Sequence, residues 1–335
     1  MKWIDFPDDR FVVNGLWWWE EHKPKLQRLP DRMKPSVPEA VWTLSQQPSG
    51  GRIRFATDAT ELAIRAHFPT LTYMNNMCRV GQMSVDPWID GKCWLPVFPT
   101  GDNHDVEGSF GSVREAKRRE VCLYLGLYAP AEIKSIGLSD GASIWSPAPF
   151  AVDKPVAYYG SSITQGGCAT RPGLSYQAIV SRKLNLDFVN LGWSGAGRGE
   201  TALAEAMAEI DASCYVIDFC QNCPTVEFLE EVYAPFLQTI RDIRPDTPMV
   251  CVTPIYSASE ISVSGSERLD GMREVIRTAV AHRERLGDAQ IELVEGYDLL
   301  GPDDHWGIVD SSHPNDLGFT AMANGLEPVL KRILF

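Results

Sequence analysis

The chain has 335 residues, 44% of them hydrophobic, and carries 31 Lys and Arg against 44 Asp and Glu, a net charge of -13. That sign disfavours nucleic acids and anionic membrane surfaces as partners, because both are held by positive protein charge. The length suggests two domains, since single hydrophobic cores stop growing near about 250–300 residues.

In chain order, the opening MKWIDFPDDRF has one lysine and no continuous apolar run, so it does not read as a secretion signal. No stretch approaches the roughly 18 apolar residues of a membrane span. The eight cysteines are therefore expected to be reduced thiols of a cytoplasmic protein. Most of the ten tryptophans lie in the first half, among them Trp17, Trp18 and Trp19. Core packing is the default account of them, and a stacking surface for sugar rings is the alternative. The segment before residue 37 is mixed in pattern, and its structure stays open.

From about residue 37 to 145 the chain favours period two. RIRFATDATELAIRAHF places Ile53 and Phe55, then Leu62, Ile64, Ala66 and Phe68, on alternate positions around a polar turn. EVCLYLGLY alternates Val121, Leu123, Leu125 and Leu127 against Cys122 and Tyr124. Asp90-Gly91 and Asp140-Gly141 are tight-turn pairs. Short strands with frequent turns predict an antiparallel β-sandwich. WSPAPFAVDKP then sets Pro147, Pro149 and Pro155 close together, a connector that removes backbone donors and disfavours helix. The expected division is a sandwich domain over residues 1–150 and an α/β domain over 151–335.

Beyond the connector, VAYY, DFVNLG, CYVIDFC, MVCVTPIY and IELVEG alternate with helical stretches such as ETALAEAMAEID and LDGMREVIRTAVAHRERL. Short apolar strands interleaved with helices predict a three-layer α/β fold with a flavodoxin-like parallel sheet covered on both faces. The last helix is expected to open at Pro314, a favoured first-turn residue.

Ligands of open parallel sheets bind beyond the carboxyl ends of the strands. Gly160-Ser161-Ser162, GWSGAG, CQNC and DSSHP should all lie on that edge. Singly, each has a plain account as a helix cap, a positive-φ glycine, a turn or a surface histidine. Together they meet a requirement none meets alone. A serine hydroxyl needs a base oriented by a third group, and Asp310 and His313 can share one turn around Pro314. Serine and glycine N–H groups and an asparagine amide would supply the donors for an oxyanion. Thr164 stands where the α/β-hydrolase elbow has its second glycine, and Lys183 is the first lysine after the segment, so neither that elbow nor a phosphate loop is present. Cys220 and Cys223 have metal-like spacing but no second pair, which leaves core thiols as the better reading. Arg171 and Arg198 follow the first two strand ends and are candidates to clamp a polar substrate, with a solvated loop role as the alternative.

The carboxyl-terminal half resembles the SGNH (GDSL-type) hydrolases. YGSSIT resembles the family's first block and makes Ser162 the nucleophile, with Ser161 where the family usually has aspartate. NLGWSGAG resembles the second block, which makes Gly195 an oxyanion donor, and DFCQNC resembles the third through Asn222. DSSHP matches the fifth block and carries over Asp310 and His313. The resemblance extends to a subgroup with an N-terminal β-sandwich, whose Gly-x-Asp-Leu-Tyr motif has its nearest counterpart in Ser84-Val85-Asp86-Pro87-Trp88. It implies a cofactor-free serine esterase acting on a short, acetyl-type ester of a small molecule or oligosaccharide. An acyltransferase using the same triad, or a catalytically silent carbohydrate-binding protein, is the alternative, and a homo-oligomer stays open.

Overall fold

A computed structural model describes residues 1–335. Two antiparallel sheets occupy the first half. One has four strands, in the spatial order Lys2–Asp5, Glu132–Leu138, Glu61–His67 and Asp105–Ser112. The other has six and is centred on Arg52–Thr57 paired with Arg119–Leu125. Period-two alternation sends Ile53, Phe55, Val121, Leu123 and Leu125 inward to meet Leu62, Ile64, Phe68 and Ile136 in one core. Arg52–Thr57 and Glu61–His67 flank a polar turn as expected, yet they do not pair with each other. The chain crosses between sheets there, so the turn forms one corner of the sandwich.

In the second half, five parallel strands run β1 (Val156–Gly160), β2 (Phe188–Gly192), β3 (Cys214–Asp218), β4 (Met249–Val252) and β5 (Ile291–Val294), in the order 2-1-3-4-5. This is the flavodoxin-like order, with its switch point beside β1. Thr201–Glu209, Val226–Ile243 and Val263–Arg285 cover one face, where Ala157, Tyr159 and Ile217 point. Tyr176–Leu184 and Asp316–Leu334 cover the other, against Tyr158, Phe188 and Val216. The final helix starts at Asp316 rather than Pro314. Asn315 caps it by accepting from the N–H groups of Leu317 and Gly318, while Pro314 is held in a bridge to Ile308. No helix is long and apolar enough to cross a membrane.

The opening segment divides between the two halves: Ile4, Phe6, Phe11, Leu16, Trp19 and Leu26 join the sandwich core. Trp18, Leu29, Met33 and Val41 pack on the α/β half, in the cluster that holds Leu191, Trp193, Leu203 and Phe219. Arg28, fully buried, lies over Trp193 and donates to the backbone carbonyls of Asn190 and Gly192 at the end of β2. On the opposite face, Trp88, Tyr124, Leu127 and Tyr128 enter the second α/β cluster. Residues of the first half thus enter both cores of the α/β half, whereas the sandwich core is built from the first half alone, and we propose to divide the chain at residue 150.

Candidate active site

Strand β1 delivers Gly160, Ser161 and Ser162 to the carboxyl edge of the sheet. Ser161 is a buried cap: its Oγ accepts from the Ile163 N–H at 3.2 Å. Ser162 begins the short helix Ser162–Gln165 and is half-buried, and its Oγ lies 2.8 Å from His313 Nε2. His313 Nδ1 lies 2.9 Å from Asp310 Oδ2. The tight Asp310–His313 turn also aims the N–H groups of Ser312 and His313 at Asp310 Oδ1, at 2.9 and 3.0 Å. Partial burial pushes the Asp310 carboxyl upward, but the N–H groups of His313 and Ser312, the Asn76 amide and the imidazole together hold it well below the usual carboxylate range. A carboxylate therefore faces the imidazole at neutral pH, as an orienting group must.

Gly195 sits in the loop after β2 with φ +64°, a left-handed conformation that favours glycine, and it is exposed. The N–H groups of Ser162 and Gly195 donate to no other backbone group of the protein. Asn222 also reaches this loop. Its Nδ2 lies 2.8 Å from the Trp193 carbonyl and 3.2 Å from that of Gly197, and it contacts the Ala196 carbonyl as well. Its amide hydrogens thus tie together the loop that presents Gly195.

The two arginines part company. Arg198 is exposed, its guanidinium 3.3 Å from the Gly195 carbonyl. Arg171 turns away from the sheet edge into a pair with Asp86, whose side chain is fully buried. Asp86 accepts from Arg171 Nε at 2.9 Å, Trp88 Nε1 at 3.0 Å and the Gly173 N–H at 2.9 Å. Arg171 therefore joins the sandwich to the α/β half. The Asp-aromatic pair of SVDPW is the other side of that junction.

Several neighbours escaped sequence reasoning. Asn76 Nδ2 lies 2.9 Å from Asp310 Oδ2, and Tyr128 Oη donates to the Ser162 carbonyl at 3.2 Å. Cys168, at φ +76°, brings its Sγ within 4.8 Å of ligand atoms of Asp310 and His313. Burial and the Asp310 charge push its thiol up to about 12, so it stays protonated beside the Asp310–His313 pair. Cys220 and Cys223 are free, buried thiols within a core cluster.

Asp218, at the end of β3, is a buried acid beneath the nucleophile loop. Burial pushes its carboxyl up to about 7 from 3.8, opposed only in part by the nearby Gln221 amide and Thr164 hydroxyl. The native state keeps this proton to higher pH than the unfolded chain does. Stability from this group is thus full below about pH 4 and falls as pH rises toward 7. Asp218→Asn is expected to stabilise the protein at pH 8, with a ceiling of about 4 kcal/mol, and to change it little at pH 4.5. Urea denaturation of both proteins at the two pH values checks this; an equal change at both would contradict it.

Comparisons with known proteins bear on the family and the fold. The model of the GDSL-like lipase/acylhydrolase family matches residues 153–331, and that for the N-terminus of SGNH-hydrolase-type esterases matches residues 1–144. No curated protein sequence matches the chain. Among solved structures, a Bacteroides ovatus ATCC 8483 protein described as a GDSL-like lipase superimposes with a TM-score of 0.90 at 28% identity, covering 99% of this chain and 98% of that one. A salicylyl-acyltransferase from a tetracycline biosynthetic pathway gives 0.82 at 19% identity, with coverage of 99% and 97%. A family two carbohydrate esterase from Clostridium thermocellum, solved with cellohexaose, gives 0.68 at 17% identity, with coverage of 97% and 99%. The last two likenesses are of fold alone.

Proposed function

Because the chain belongs to the GDSL-like lipase/acylhydrolase family, we propose that it is a serine esterase that removes short acyl groups, acetyl foremost, from a carbohydrate. The observation that carries the reading is the unbroken line from Ser162 Oγ to His313 Nε2 at 2.8 Å and from His313 Nδ1 to Asp310 Oδ2 at 2.9 Å. Ser162 Oγ attacks the ester carbonyl as His313 Nε2 takes its proton, and the Asp310 carboxylate stabilises the imidazolium. The N–H groups of Ser162 and Gly195 hold the oxyanion, while Asn222, expected from the sequence as a third donor, has its amide engaged by the loop carbonyls and keeps Gly195 in place. His313 returns the proton to the departing alcohol. Water then attacks the acyl-enzyme, His313 takes the water proton, and Ser162 recovers it as the acid leaves.

Hydrolysis is preferred to transfer because the His313 and Asp310 side chains keep 25% and 34% of their exposure, which leaves water a path to the acyl-enzyme. A carbohydrate alcohol is suggested by the company of the fold, which includes the cellohexaose complex and an acetyl xylan esterase from Butyrivibrio proteoclasticus. Release of acetate from acetylated xylo-oligosaccharides, followed by proton NMR, tests the reading together with fluorophosphonate labelling. The expected result is saturable deacetylation and one labelled serine, with p-nitrophenyl acetate turned over about tenfold faster than the butyrate. No labelling and no acetate release would overturn it. Acyl transfer to an added alcohol in place of acetate would move the protein to the transferases.

A further inference from the structure

The β-sandwich touches both ends of the candidate triad. Asn76 lies in the stretch between the strand Glu61–His67 and the short helix Arg79–Gln82, 234 residues from Asp310 in sequence, and its Nδ2 reaches Asp310 Oδ2 at 2.9 Å. That oxygen is the one 2.9 Å from His313 Nδ1. The other, Oδ1, receives the N–H groups of Ser312 and His313. Asn76 thus fills the remaining acceptor position of the carboxylate with a neutral donor, which fixes its orientation and leaves its charge in place.

The stretch that carries Asn76 is itself held. Buried Gln82 brackets it, accepting from the Met74 N–H at 2.9 Å and donating to the Met77 carbonyl at 2.9 Å. Thr72 Oγ1 donates to the Tyr128 carbonyl at 2.9 Å, and the Tyr128 hydroxyl donates to the Ser162 carbonyl. Gly81 lies so close to the loop that follows Ser162 that an added Cβ would stand 2.1 Å from the Ala169 carbonyl oxygen. One small region of the sandwich therefore sets the backbone of the serine and the carboxylate of the acid. Adhesion between the halves does not need this contact, since the shared cores and the Asp86–Arg171 pair already supply it.

We propose that Asn76 is a positioning residue for the triad: it locks the Asp310 carboxylate in line with the His313 ring, so that the sandwich forms part of the catalytic apparatus. The inference rests on the esterase reading above. Besides Asp310, the titratable group that lies against His313 is Cys168, on the loop after the Ser162–Gln165 helix.

Two substitutions test it. Asn76→Ala is expected to lower kcat for p-nitrophenyl acetate about tenfold with KM within about twofold, since orientation is lost and the acyl site is not. Asn76→Asp keeps the shape but replaces the donor by a second negative charge. The acid limb of its kcat/KM profile is expected to move up by about 0.5–1 pH unit, because added negative charge favours the imidazolium. A purely structural Asn76 would lower the melting temperature of both variants and leave that limb where it is. That result, or a kcat for Asn76→Ala within twofold of wild type, would overturn the proposal. The ring-proton signals of His313 followed by NMR against pH, in wild type and Asn76→Asp, decide the matter without turnover. If wild type hydrolyses no ester, the esterase reading fails, and a displaced ring titration in the variant still upholds the Asn76 contact.

Discussion

Replacing Ser162 by alanine is expected to lower kcat/KM for p-nitrophenyl acetate by at least about 10³-fold while the protein stays folded. Both halves of that statement have a structural reason. The Ser162 side chain makes one polar contact, to His313 Nε2, so its removal leaves no other group unpaired. The capping of the helix that follows is carried by Ser161, and the backbone N–H of residue 162 survives the substitution. What disappears is the nucleophile alone. The same logic predicts strong non-additivity: Ser162→Ala combined with His313→Ala should lose little more than either single change, because the two act as one unit. Steady-state rates with matched circular dichroism spectra check this. A Ser162→Ala protein that keeps more than about a tenth of wild-type turnover would mean that another group attacks the ester.

The second large effect concerns stability. Arg171→Ala should cost about 3–5 kcal/mol, because it strips the counter-charge from a carboxylate that water does not reach. Asp86 would keep the Trp88 indole and the Gly173 N–H as donors, but neither neutralises it. Asp86→Asn should cost less. Arg171 is itself 18% exposed and keeps some access to solvent when its partner loses charge. Denaturant unfolding of the two single variants and the double variant yields the coupling energy, expected to be about 1–3 kcal/mol. Additive single effects would show that the pair is a bystander at the junction.

These two sites differ in how far the sequence announces them. Ser162, Asp310 and His313 stand out because each sits in a short local pattern: a strand running into Gly-Ser, and an acid three residues before a histidine. Local physics fixes such features. The five parallel strands are equally legible, since burial on both faces writes an apolar run into each of them. Asn76 and Tyr128 carry no such mark. Their partners lie 234 and 34 residues away, and an Asn in a polar stretch looks like any turn residue. Arg171 is a candidate substrate clamp or a solvated loop residue by its place after a strand end; the structure gives it neither role and pairs it with Asp86, 85 positions upstream. The opening segment defied a period for a related reason. Its short pieces split between two cores, Phe6, Phe11 and Trp19 turning to the sandwich and Trp18, Leu29 and Met33 to the α/β half, so no single period describes them.

That arrangement constrains how the protein is made. Synthesis yields Trp18, Leu29, Met33 and Val41 first, yet the residues that cover them, Leu191, Trp193, Leu203 and Phe219, come some 150 positions later. At about 5–20 residues per second, the greasy underside of the nascent sandwich waits on the order of 10–30 s at the ribosome before its cover exists. Arg28 waits with it, since the carbonyls it serves belong to Asn190 and Gly192. Neither half is therefore a freely exchangeable module. A truncation that ends near residue 150 would present this face to every chain around it, and a graft of the α/β half onto another partner would open a gap above Trp193.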